Sequence, residues 1–206
     1  MHAKGLELPA YDSRATKILG LAFAVANRGV DHVTSELPAP TYMDAPILVV
    51  ENSHIEDPYK SVPAEANIAV DLENSTINFD NLGGCKFMGM MLMAEDYVVI
   101  INAATGWEID VPEFVRIGER CYNLARAFNV REGLTRSDDM LPPRLLKDPL
   151  PEGSAKGLVV EPDKFEQMKD AYYTFRGWDL KTGIPTIEKL KELDLEGLYH
   201  MMLSLA

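Results

Sequence analysis

The chain has 206 residues, 47% of them apolar, and a formal net charge of −12; this is enough for one sizeable core, or one core with a small satellite. The acidic balance argues against nucleic acid or an anionic membrane as partner, because a polyanion is repelled rather than steered in. Two cysteines, Cys85 and Cys121, make no disulfide framework and fit a reducing compartment, so a cytoplasmic location is expected. The longest apolar run, residues 18–26, falls far short of the roughly 20 residues that span a bilayer, and the N-terminus lacks a signal-peptide layout.

Residues 1–11 read as an extended lead-in, since Pro9 biases its neighbour away from helix. Asp12 or Ser13 can cap a helix running to Asn27, with Gly29 as its stop. Residues 18–26 are apolar on every side, which puts this helix at the centre of the core. Its exit, Asn27-Arg28-Gly29-Val30-Asp31-His32, leaves the best-fixed element of the fold, a suitable place for a residue that must be held still. By itself His32 reads as a surface or satisfied core histidine, and His54, among polar residues, reads as surface. Pro38, Pro40, Pro46, Pro58 and Pro63 make residues 37–63 a loop with one short apolar segment at 47–50.

Residues 64–82 read as a helix, with Ile68, Leu72, Phe79 and Leu82 on one stripe and Val70 and Ile77 on the other side, so burial between layers is expected. Its end should lie inside the molecule or at a covered face. That end is Phe79-Asp80-Asn81-Leu82-Gly83-Gly84-Cys85-Lys86. Gly83 can take the left-handed conformation that closes a helix, and Gly84 lets another group approach the backbone. A carboxylate and a thiol thus arrive together, followed by a lysine, which suits a cofactor edge. Taken alone, the cysteine reads more readily as a small buried hydrophobe than as a ligand.

Met88, Met90, Met91 and Met93 read as an adaptable, gap-filling core, or as an apolar approach to a substrate site. Residues 94–105 suggest a further buried helix closed by Gly106. Asp110 and Pro112 then start the best amphipath, with Phe114, Ile117, Cys121, Leu124 and Phe128 as its apolar stripe and Cys121 a packing residue. The mixed charges of residues 129–144 read as a solvated loop with local ion pairs, and residues 145–161 as a Pro/Gly-containing excursion. Residues 162–176 form a helix with Phe165, Met168, Tyr172 and Phe175 on one face, ended by Gly177. Thr186 caps a last helical stretch in which Leu190, Leu193 and Leu198 pack inward and Gly197 marks a kink. Alternating patterns are scarce, so the expected class is mainly α: a multihelical single domain over residues 1–206 with long proline-containing loops.

The stretch Asp80-Asn81-Leu82-Gly83-Gly84-Cys85 resembles the Asp-x-x-Gly-Leu-Cys motif of the tungsten-containing aldehyde:ferredoxin oxidoreductase family, with glycine where the family usually has leucine. Three other segments resemble that family in the same order: residues 4–15 leading to Asn27-Arg28-Gly29-Val30-Asp31-His32, then residues 127–139 with Leu141-Pro142-Pro143-Arg144, then Tyr172-Tyr173-Thr174-Phe175-Arg176-Gly177-Trp178-Asp179 with Gly183-Ile184-Pro185-Thr186. The resemblance implies the C-terminal domain, or a separate subunit, of an enzyme that oxidises aldehydes to carboxylates with ferredoxin as electron acceptor. It implies tungsten, or molybdenum, held by two pterins beside a [4Fe-4S] cluster. Cys85 then matches the fourth cluster ligand and Asp80 the pterin-binding carboxylate. Backbone N–H groups at Gly83 and Gly84 add to the cofactor contacts, Lys86 offsets cluster charge, and His32 moves protons near the metal.

Family members also carry N-terminal parts with most of the pterin site and a Cys-x-x-Cys-x-x-x-Cys ligand set, which these 206 residues lack. Those parts are therefore expected partners, no cofactor is expected in the isolated chain, and residues 129–144 are expected to fix the domain against them. The competing expectation is a stand-alone helical interaction module, catalytically silent without the missing domains.

Overall fold

The computed structural model describes residues 1–35, 54–89 and 91–203. The expected apolar segment at 47–50 and Met90 lie outside the described residues. Among the described residues helices dominate and one two-stranded sheet is present, in keeping with a mainly α class. No helix among them is long and apolar enough to cross a membrane.

Instead of a plain lead-in, β1 (His2–Ala3) and β2 (Leu6–Glu7) form an antiparallel hairpin. Lys4 and Gly5 both take positive φ, 49° and 81°, the two-residue turn whose twist matches its strands. The central helix, α1 (Lys17–Val25), is buried at every residue, as its all-round apolar pattern predicts. It starts later than predicted because the Asp12 carboxylate does not cap it but accepts the N–H, Nε and Nη2 of Arg14 in a local turn. At the other end Lys4 Nζ donates to the Ala24 and Ala26 carbonyls, at 2.7 and 2.8 Å. A cation there satisfies open carbonyls at the negative end of the helix.

A 3₁₀ turn (Pro63–Glu65) leads into α2 (Ala66–Asn81). There follow α3 (Lys86–Gly89), α4 (Ala94–Thr105), α5 (Val111–Arg131), α6 (Pro143–Lys147), α7 (Pro162–Arg176), α8 (Ile187–Glu192) and α9 (Gly197–Leu203). α2 packs mainly on α5 and α7 and is buried on all sides over Leu72, Glu73, Asn74, Ser75 and Thr76. Its buried carboxylate is paired through one oxygen: Arg176 Nη2 reaches Glu73 Oε2 at 2.5 Å and Tyr172 Oη donates to the same oxygen at 2.6 Å, while Oε1 has no hydrogen-bond partner and the guanidinium lies over the Tyr122 ring at 3.9 Å.

α5 begins as predicted, with the Asp110 carboxylate accepting Glu113 N–H at 2.9 Å and Pro112 in the first turn. Its buried face, however, is Phe114, Gly118, Tyr122, Asn123, Arg126 and Ala127, while Leu124 and Phe128 are exposed and Cys121 is half-buried. Polar residues displace the predicted apolar row because each finds a partner. Trp178 Nε1 donates to Asn123 Oδ1 at 2.8 Å, and Arg126 makes a two-pronged pair with Asp139 while lying over Trp178 at 4.5 Å.

The loop read as solvated is only partly so. Arg136 pairs at the surface with Glu166 and Asp170, but Asp139 is fully buried between Arg126 and Lys4. Burial pushes the Asp139 carboxyl up, and the two cations outweigh it, holding it below the usual aspartate value.

Four further expectations need correction. α4 is not buried throughout: Ala94, Tyr97 and Ile101 face the core, whereas Val99 and Ile100 are exposed, although Gly106 closes it at φ 75° as predicted. α6 occupies the start of the supposed excursion, with Leu145 buried. Phe175 on α7 is exposed, and Gly197 starts α9 rather than kinking a longer helix. Thr186 does cap α8, its Oγ1 accepting Lys189 N–H at 3.2 Å.

Candidate functional site

The end of α2 is closed by two backbone bonds across a left-handed residue: Gly84 N–H donates to Phe79 O at 2.9 Å and Gly83 N–H to Asp80 O at 3.0 Å, with Gly83 at φ 68°. This is the glycine-terminated helix end the sequence predicts. Gly83 is required for its backbone conformation, since an added Cβ would meet nothing within 4 Å. At Gly84 a Cβ would meet only Phe79 O, at 3.5 Å, an ordinary contact, so the backbone there does not demand glycine.

Asp80, Asn81, Leu82, Gly83, Gly84 and Cys85 are all exposed, so of the two expected placements, inside the molecule or at a covered face, the structure removes the first. The reason is register: Phe79 is the last residue to face the core, and the turn that follows carries the chain outward. Leu82 within it and Phe87, Met91 and Met93 shortly after it in the chain are also exposed, and exposed large apolar side chains of this kind mark interaction surfaces when they are contiguous. Cys85 is a free, exposed thiol. Cys121 is not beside it in function: its sulfur accepts Asn81 Nδ2 at 3.3 Å.

Lys86 behaves differently from its neighbours. Its side chain is 6% exposed, its ammonium lies 3.2 Å from Asp80 Oδ2, and it donates to Val33 O at 2.9 Å. Val33 follows His32, so the structure brings the histidine segment to the end of α2. His32 is half-buried, with its ring 5.1 Å from that of Tyr11. The loop around it is closed by Asp31, whose carboxylate accepts Val33 N–H and Thr34 Oγ1, both at 2.8 Å, and Arg28 Nε. Burial pushes the Asp31 carboxyl up, but these donors, Thr34 first, hold it below its usual value. Thr76 Oγ1, on α2, donates to Thr34 O at 2.5 Å.

A cleft of about 390 Å³ lies between these parts, lined among others by Asn27, Arg28, Thr34, Asp80, Lys86 and Asn129. Asp80 and Lys86 share it; His32 and Cys85 are not among its lining residues. Asn27 is wedged there by Nδ2 on Tyr122 O at 3.1 Å and by Asn129 Nδ2 on its own carbonyl at 2.5 Å, while its Oδ1 is buried with no protein partner. Among the described residues, no three His, Cys, Asp or Glu side chains come together to hold a metal ion. The residues present therefore fit a share of a cofactor site, one accessible thiol and one accessible carboxylate on a fixed helix end, and do not fit a complete cluster. Sequence reasoning missed Asp31, Thr34 and Thr76 as the parts that fix the histidine loop. The one available signal was Asp31 followed by Thr34, an aspartate that closes a local turn on its own backbone.

A family model described as aldehyde ferredoxin oxidoreductase, domains 2 & 3, matches residues 1–195. The chain is 38% identical over 197 residues to the tungsten-containing aldehyde ferredoxin oxidoreductase of Pyrococcus abyssi, and 36% identical over 200 residues to that of Pyrococcus furiosus. These alignments cover 95% and 97% of this chain and 31% of each relative, so the chain spans about a third of the relatives' length. Its fold is similar to that of a chain in the active-site complex of a benzoyl coenzyme A reductase with 1,5-dienoyl-CoA, at a TM-score of 0.70 and 19% identity, covering 97% of this chain and 32% of that one.

Proposed function

The chain belongs to the aldehyde ferredoxin oxidoreductase family, and from that premise we propose that it forms the C-terminal part of a tungsten or molybdenum bis-pterin, iron–sulfur oxidoreductase that converts aldehydes to carboxylates and reduces ferredoxin. The carrying observation is the capped end of α2, which presents Asp80 and Cys85 to the outside on a helix whose body is fixed by buried packing. The remaining two thirds of the enzyme, in the same or a neighbouring polypeptide, covers that end and supplies the other ligands.

In this reading Cys85, as a thiolate, is one iron ligand, because soft sulfur suits iron in a cluster. Asp80 accepts hydrogen bonds from a pterin's ring N–H groups with the carboxylate capacity that Lys86 leaves open, and the Gly83–Gly84 backbone allows close approach. When bound, the metal and cluster supply the redox chemistry, taking electrons from the aldehyde and delivering them singly to ferredoxin. Oxidation of an aldehyde with water also releases protons, and His32, held in its closed loop, takes or returns one at its imidazole. Lys86 keeps the site from carrying an unbalanced negative charge at Asp80.

The test is anaerobic purification of the complete protein. Tungsten or molybdenum with iron, together with aldehyde-dependent reduction of ferredoxin, is the expected result; a complete protein free of both metal and aldehyde turnover overturns the reading.

A further inference from the structure

We propose that Lys86 is a positioning residue that locks the loop carrying His32 to the turn carrying Asp80 and Cys85, so that the proton-moving and cofactor-holding halves of the site share one frame. The catalytic consequence rests on the function proposed above; the physical link does not.

The argument starts from where a lysine belongs. A long cationic side chain beside an exposed helix end normally carries its ammonium into water. Phe87, its neighbour, is 68% exposed, whereas the Lys86 side chain is 6% exposed. An ammonium withdrawn from water is costly unless its donors are used, and here two distinct segments use them: the Asp80 carboxylate at 3.2 Å and the Val33 carbonyl at 2.9 Å. The next carbonyl along, that of Thr34, is held by Thr76 Oγ1, and Thr76 lies one helical turn before Asp80 on α2. Two consecutive loop carbonyls are thus tied to one helix end, while the Asp31 carboxylate closes the loop from within.

His32 sits between the closing aspartate and the first tied carbonyl, so its backbone cannot shift without breaking one of these bonds. A reacting group misplaced by about 1 Å costs on the order of 10²-fold in rate. Asp80 gains as well: it is 46% exposed while paired, so one ion pair orients the carboxylate and leaves capacity for a second donor.

The test uses the complete enzyme with Lys86→Met and Lys86→Arg, reading amide hydrogen exchange at residues 31–35, metal content and steady-state kinetics. Lys86→Met should speed exchange at residues 31–35 about tenfold relative to the rest of the chain. It should lower kcat about 10²-fold with KM within about twofold and metals retained. Lys86→Arg, which keeps a cation and its donors, should restore most of both. Where Lys86→Met does not fold, Lys86→Gln takes its place and should give the same local loosening in milder form, and Thr76→Val should loosen the same residues independently. Unchanged exchange at 31–35 in these Lys86 variants, or acceleration spread evenly over the chain, overturns the link. A complete wild-type protein without metal or aldehyde turnover overturns the functional reading instead, and leaves the exchange result to judge the link alone.

Discussion

Gly118 of α5 lies directly against the main-chain carbonyl of Asn74 in α2: a Cβ at position 118 would fall 1.7 Å from that oxygen. The two helices therefore touch backbone to backbone, and Asn78 Nδ2 adds a 2.6 Å bond to Phe114 O across the same contact. Gly118→Ala should cost about 3 kcal/mol or more, because a carbonyl cannot turn aside as a flexible side chain can. Thermal unfolding followed by circular dichroism checks this, and a melting temperature equal to wild type would contradict it. Since α2 ends in Asp80, the same substitution should also disturb the turn that carries Cys85.

Arg126 and Asp139 form a second frame-holding contact, with both side chains fully buried and Lys4 Nζ 2.6 Å from Asp139 Oδ1. Asp139→Asn leaves two buried cations without a counter-charge and should destabilise by about 3–5 kcal/mol in denaturant titrations. The sign of the pH effect follows from the lowered carboxyl. The stabilisation is complete above the unfolded aspartate pKa, about 3.9, and is lost as pH falls through the lower folded value. Wild-type stability should thus decline below about pH 4, less steeply in Asp139→Asn, with Asp12, Asp31 and Glu166 among the other carboxylates held low that add to the slope.

What the sequence disclosed followed the physics of apolar pattern and caps. The run at 18–26 is apolar all round and is buried all round; Asp110, Thr186, Gly83, Gly106 and Gly177 start or stop helices where their chemistry says. The misreadings on α5 share one cause. Apolar periodicity cannot see that Arg126 and Asn123 meet Asp139 and Trp178, partners distant in sequence that make a polar face the buried one. At the proposed site, the sequence names candidate residues but not their arrangement. Nothing in the sequence pairs Lys86 with Val33, which lies 53 positions away and accepts its ammonium.

The apolar residues flanking the α2 end should make the separately produced chain self-associate. Leu82, Phe87, Met91 and Met93 are exposed within eight residues of Cys85 in sequence, and the rest of the enzyme covers them in the proposed assembly. Light scattering across a concentration series should show reversible association, weakened in a Phe87→Ser, Met91→Ser double variant. A wild-type chain that stays monomeric at high concentration would contradict it.

Cys85 and His32 should fail in different ways in the complete enzyme. Cys85 is an exposed thiol just past the end of α2, and if it is the iron ligand proposed above, its loss in Cys85→Ala removes part of the set on which metal binding depends. Iron content and electron delivery to ferredoxin should both fall. His32 sits in the separate loop closed by Asp31, so His32→Ala should leave iron and tungsten bound. Its turnover should nevertheless drop by about 10²–10⁴-fold, the usual contribution of a general acid or base. Metal analysis and aldehyde-dependent dye reduction on the two purified variants separate the roles: full iron in Cys85→Ala would remove it from the cluster, and wild-type turnover in His32→Ala would make that histidine a packing residue against Tyr11.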